Sequence, residues 1–231
     1  MISTITIDIQ RTLDIYDTPD KSIGRHASSL KAISGEEMSL AVLLHFFRHD
    51  RQEEDAQLID APCKTKGARL DAWLYTGGME SILYQVEVKN WSVHGYGGGP
   101  LAYLSSMTAK EQAAYRTKAW DFYFDQATGR FKQEGLDKVL RSMGDSIPKG
   151  YETAKHKSLA CLWTSLHHYG LAEPYFEVPV ADGAKGVDFD SVSVFSVSTY
   201  LRNLLYAGQG QISLEMPQLR KRLVLLSEMF V

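Results

Sequence analysis

Two alternating segments joined by a glycine turn constrain this chain more than any other feature. Residues 68–75, Ala-Arg-Leu-Asp-Ala-Trp-Leu-Tyr, put Leu70, Ala72 and Leu74 on one strand face and Arg69, Asp71 and Trp73 on the other. Thr76-Gly77-Gly78 is a turn signal, and residues 82–89, Ile-Leu-Tyr-Gln-Val-Glu-Val-Lys, alternate again. The pair reads as a β-hairpin. In its second strand Val86 and Val88 point into a core, while Glu87 and Lys89 share the opposite face. Paired strands would bring Asp71 near Glu87. A carboxylate and an ammonium then stand side by side at a strand end, followed by the glycine-rich stretch Gly95-Tyr96-Gly97-Gly98-Gly99-Pro100.

The rest of the chain mixes strands and helices. Residues 4–9 alternate and read as a strand with one buried face, followed by a polar loop through Thr18-Pro19-Asp20 and Gly24. Ser34 with Glu37 three residues later fits a capping box, which predicts a helix from there through the apolar run Met38 to Phe47, ending near Arg48 to Asp50. Residues 51–57 read as a solvated connection. Helices are expected over about 108–125 and 134–143, with strands at Ser158–Thr164, Tyr175–Val180 and 191–197. Pro179 marks the second of these strands as an edge. A helix follows to about Ala207, and Met216 to Phe230 reads as another. This predicts an α/β chain, a central mixed β-sheet flanked by helices. At 231 residues the length fits one domain, 1–231, with elaborations.

Composition narrows the class. A hydrophobic fraction of 44% and a charged fraction of 23% exclude a disordered, collagen-like or coiled-coil chain. No apolar run approaches the roughly 18 residues of a membrane-spanning helix. Met1 to Gln10 lacks the pattern of a signal peptide. Cys63 and Cys161 form no CxxC and read as two reduced thiols, which fits a cytoplasmic protein. The net charge of -3 argues against a strongly basic nucleic-acid coat, although a local basic patch or a bound divalent metal could supply positive charge.

Two converging carboxylates beside a lysine suit a hard divalent cation such as Mg²⁺, which prefers oxygen ligands and keeps several waters. Such an ion polarises a phosphoryl oxygen and lowers the pKa of bound water. Asp71 followed by Glu87-Val88-Lys89 across a hairpin turn resembles the PD-(D/E)XK nuclease superfamily, with its restriction-endonuclease-like fold. The family also carries an acidic residue on the helix before the hairpin, and Glu37, or else Glu36, matches by position. The resemblance covers 34–125 as the core, leaving 150–231 to complete the sheet and its covering helices.

The resemblance implies a metal-dependent nuclease hydrolysing phosphodiester bonds, most readily a DNA endonuclease in a restriction, repair, mobile-element or anti-phage setting. Asp71, Glu87 and the Val88 carbonyl would hold Mg²⁺, with Mn²⁺ able to substitute. Lys89 would be the catalytic lysine, and Glu37 would assist through metal or water. The sequence departs from the family where Leu70, not Pro, precedes Asp71, and where Gln112 and Tyr115 stand three apart rather than the four of the exonuclease branch. The rival reading is a catalytically silent nuclease-like domain that binds nucleic acid or a partner protein in a larger assembly. Nucleic acid is the expected partner, DNA ahead of RNA. Both a homodimer and a partner protein stay open.

Other groups carry weaker signals. Lys110, Arg116 and Lys118 fall on the helix after the hairpin and could contact phosphates, or could be a solvated face. Lys155-His156-Lys157 and Arg220-Lys221-Arg222 are further basic clusters. His45 and His49 stand four apart, but Phe46 occupies the position where a zinc protease needs Glu. Ordinary helix-surface histidines are the plainer reading, as loop histidines are for His167-His168. The glycine stretch lacks the Lys-Ser/Thr of a P-loop. Ser28-x-x-Lys31 and Ser146-x-x-Lys149 both match an acylating pattern, and the duplication shows how cheap that pattern is.

Overall fold

A computed structural model describes residues 4–17, 25–59, 71–89, 108, 110, 124–125, 130–133, 147–163, 172–180 and 191–216. The strands among them are β1 (Thr4–Asp8), β2 (Gln57–Ile59), β3 (Ala72–Thr76), β4 (Ile82–Lys89), β5 (Phe124–Asp125), β6 (Arg130–Phe131), β7 (Lys155–Leu162), β8 (Tyr175–Pro179), β9 (Ser191–Ser196) and β10 (Gln211–Glu215). The helices are α1 (Ile9–Asp17), α2 (Arg25–His49) and α3 (Val197–Tyr206).

Six strands form one mixed sheet in the order β2-β3-β4-β7-β9-β8. The hairpin expected from the alternating segments is present: β3 and β4 pair antiparallel, Thr76 against Ile82 and Ala72 against Val86. β7 and β9 add to β4 in parallel, and β8 closes the far side antiparallel to β9. Pro179 therefore lies on an edge strand, where its missing N–H removes no ladder bond that the sheet needs. The turn after β3 passes close to the segment before β2. A Cβ on Gly77 would come within 3.1 Å of the Asp55 Cβ, so glycine suits this approach.

α2 is the organising element. Leu40, Ala41, Val42, Leu43 and Leu44 are all nearly inaccessible, as are Phe46 and Phe47. Consecutive burial covers every side of a helix, so the Leu40–Phe47 stretch of α2 is enclosed rather than laid on a surface. One face meets Tyr84, Val86, Val88, Leu159 and Cys161 of the sheet; the same core takes in Ile7, Ile212 and Leu214 of the β1–β10 ribbon and Leu201 of α3. Burying each such large side chain is worth about 1.5–3 kcal/mol. Polar anchors fix the far end: Arg48 Nε donates to the Ala56 carbonyl at 2.9 Å, and its guanidinium pairs with Glu215 at 2.9 Å.

Several local expectations are corrected. The helix runs from Arg25, not Ser34, so Ser34 and Glu37 are interior residues and form no capping box. Ser34 Oγ instead meets the Tyr16 hydroxyl at 2.9 Å. The segment after the first strand is helix α1, with Ile9 and Leu13 buried, before the stretch from 18 onward. Phe124 and Asp125 are strand, paired with Phe131 and Arg130, where a helix end was expected. β2 and β10 also add strands that the local patterns did not announce. The expected helix over 134–143 lies outside the described residues, as do the expected Met216–Phe230 helix beyond Met216, which is itself not helical, the 90–100 loop, Cys63 and His167-His168.

Candidate functional site

The β3–β4 register places the first two candidate carboxylates together. Ala72 pairs with Val86 and Trp73 with Gln85, so one more step brings Asp71 opposite Glu87. Asp71 immediately precedes β3. Its Oδ2 accepts the Val88 N–H at 2.7 Å, doing with a side chain what a further β3 residue would do with its backbone. The N–H and C=O of one strand residue project toward the same neighbouring strand. The Val88 carbonyl is thereby directed to the Asp71 side of β4.

Faces follow from alternation. Tyr84, Val86 and Val88 belong to the core around α2, and Trp73 and Leu83 to a second small core with Ala154 on the opposite face. Glu87 shares the Leu83 and Gln85 face of β4. It is 5% exposed, an unusual burial for a carboxylate, and it engages other groups. Lys89 closes β4 with its backbone opposite Leu162 of β7.

Glu37 is also 5% exposed. It lies on α2, which crosses the Val86–Val88 face. Cys161 Sγ approaches the Ser39 carbonyl at 3.9 Å, while Trp163, just beyond β7, stacks on Tyr16 with ring centroids 4.0 Å apart. With Tyr16 bonded to Ser34, these contacts show α2 running antiparallel to β7. The start of its apolar run thus lies toward the ends of β4 and β7 where Lys89 sits. In parallel strands this carboxyl end is the usual place for ligands. Among the described residues, no group of three or more His, Cys, Asp or Glu side chains stands close enough to hold a metal ion. Glu37, Asp71 and Glu87 therefore do not form a three-carboxylate cage. Asp71, Glu87 and the Val88 carbonyl are the oxygen donors that the register brings to this strand end.

No protein-family model, curated protein or solved structure matches the chain.

The expected phosphate-contacting residues are only partly described. Lys110 is exposed and helical; Arg116 and Lys118 lie outside the described residues. The Lys155-His156-Lys157 cluster is largely engaged by acids: Lys157 pairs with Glu177, and Lys155 stands 3.9 Å from Glu80. The Lys157 ammonium, with Ser191, holds the Glu177 carboxyl below the usual range against the opposing effect of burial. Cys161 is a buried free thiol whose ionisation burial opposes.

Two neighbours of the site went unread in the sequence. Gln85, two residues before Glu87 on the same face, has a buried Oε1 with no hydrogen-bond partner. Strand alternation already places it there. Trp163 Nε1 is likewise buried without a partner. Its position depends on the β7 ending and on Tyr16, which no local pattern links to it.

Proposed function

We propose that this chain is a Mg²⁺-dependent nuclease of the PD-(D/E)XK type, with a restriction-endonuclease-like core, hydrolysing phosphodiester bonds in DNA. The observation that carries the reading is the Asp71–Val88 bond. It fixes a carboxylate at the open end of the β3–β4 hairpin, opposite Glu87 in the continued register and beside the strand end that carries Lys89. Support also comes from the chain order, in which a helix acid precedes Asp71 and Glu-x-Lys follows on the next strand.

Asp71, Glu87 and the Val88 carbonyl would hold the ion, with Mn²⁺ an acceptable substitute. When bound, the cation polarises a phosphoryl oxygen and lowers the pKa of an attached water. The Lys89 ammonium orients the attacking water and offsets negative charge as it develops on the phosphoryl group. The Val88 N–H holds the Asp71 carboxylate in one orientation, so the ligand needs little reordering when a cation arrives. Glu37, on α2 near the same strand ends, assists the attacking water. Lys110, Arg116 and Lys118 contact the nucleic-acid backbone.

Cleavage of plasmid DNA in Mg²⁺, lost on Lys89→Ala, tests this reading. The alternative reading is a catalytically silent domain that binds nucleic acid or a partner protein. Metal-induced thermal stabilisation that disappears in Asp71→Ala separates the two.

A further inference from the structure

A second cluster of chemistry-bearing side chains lies at the C-terminal end of α2. His45 and His49 sit one turn apart on one helix face, with ring centroids 4.2 Å apart. His49 is exposed and His45 partly so. Tyr200 of α3 is 1% exposed, and its hydroxyl donates to Asp50 Oδ1 at 2.7 Å. Its single proton is thereby committed. The 2.9 Å contact between that hydroxyl and His45 Nδ1 must then be donated by the imidazole. A neutral His45 therefore carries its lone pair on Nε2.

We propose that His45 and His49 form a metal site of their own, taking a borderline divalent transition ion such as Zn²⁺ or Ni²⁺ on two imidazoles and water. Imidazole suits Zn²⁺, Cu²⁺ and Ni²⁺, whereas carboxylate and carbonyl oxygens suit Mg²⁺ and Mn²⁺. This site and the Asp71–Glu87 site thus differ in ligand chemistry. The chain Asp50–Tyr200–His45 is an outer shell of the kind that fixes the tautomer and orientation of a ligating histidine. The negative end of the helix dipole, where His49 is the last residue, adds attraction for a cation. Exposed His49 is free of the Asp50–Tyr200–His45 chain and can turn its ring to share the ion. The ion would pin the last turn of α2 to α3 through His45 and Tyr200.

The test is calorimetric titration of the full chain with Zn²⁺ and with Ni²⁺, alongside thermal melts, for the wild type, His49→Ala, His49→Gln and Asp71→Ala. His49 is on the surface, so both its variants should melt like the wild type without metal. The expected result is saturable binding and a raised melting temperature in the wild type. Affinity should fall by roughly tenfold or more in both His49 variants, the scale expected when a metal site loses a ligand or its support. It should stay unchanged in Asp71→Ala. Absence of binding in the wild type would overturn the proposal. So would equal binding by the His49 variants, or loss of binding only in Asp71→Ala.

Discussion

Asp71 bridges the open end of the hairpin to Val88, its Oδ2 accepting that residue's N–H at 2.7 Å. The bond makes the aspartate an extension of the β3 edge against β4 as well as a candidate ligand, and the two roles are separable. Asp71→Asn keeps a carbonyl oxygen for the Val88 N–H and removes the charge. Melting should change little, while metal-dependent cleavage falls by about 10²-fold or more, as when a group stabilising transition-state charge is lost. Asp71→Ala removes the acceptor too and should destabilise the fold by about 1–3 kcal/mol, the cost of an unsatisfied buried N–H. Denaturant melts of both variants check this. Equal stability losses would mean that the bond does not hold the strand end.

Glu87 is buried on β4, and burying a charge works against folding unless its surroundings compensate. Glu87→Gln keeps the shape and removes the charge. Its melting temperature should equal or exceed that of the wild type while Mg²⁺-dependent activity is lost, the trade expected where a site is kept for function. Paired thermal melts and cleavage rates read both quantities.

His45 gives the fold a pH dependence. Its imidazole is lowered to about 4, chiefly by burial, then by His49, with Asp50 acting the other way. An unfolded histidine titrates near 6.5. Between these values the unfolded chain binds the extra proton and the folded one does not. The contribution is therefore complete above about 6.5 and is lost as pH falls toward 4. Melting temperature should decline over that window, and the decline should be shallower in His45→Gln. Chemical melts at pH 7.5, 6, 5 and 4.5 measure it.

The burial of α2 over Leu40–Phe47 predicts where substitution costs most. Leu43 is fully buried in the main core. Leu43→Ala should cost about 2–5 kcal/mol, the range for cavities in packed cores. Ile15, 56% exposed on α1, should tolerate alanine with a change under about 0.5 kcal/mol. Urea melts of the two variants give the contrast.

What the sequence revealed, and what it hid, follows from the range of each interaction. The β3–β4 hairpin was legible because a period of two and a glycine turn are local signals. β4 begins and ends where the alternation does. The start of α2 was misplaced because Ser34 and Glu37 mimic a cap, although Ser34 bonds Tyr16, eighteen positions away. α1 escaped notice although Ile9 and Leu13 mark its inner face, one turn apart, because the polar residues around them read as loop. β10 alternates Ile212 and Leu214, but its partner is β1 at the other end of the chain, and no local pattern carries that pairing. In the candidate site, Asp71 and Glu87 were brought near each other by register alone. Glu37 required knowing how α2 crosses the sheet, and strand periodicity says nothing of that.

The most direct test of the central proposal is a cleavage assay on supercoiled plasmid, linear duplex, single-stranded DNA and RNA. Each substrate is tried in Mg²⁺, Mn²⁺ and EDTA, with the wild type beside Lys89→Ala. The account predicts cutting of DNA in either metal, none in EDTA and none by the variant. Cutting by Lys89→Ala at the wild-type rate would contradict it. So would the absence of cutting on every substrate together with no metal-induced change in melting.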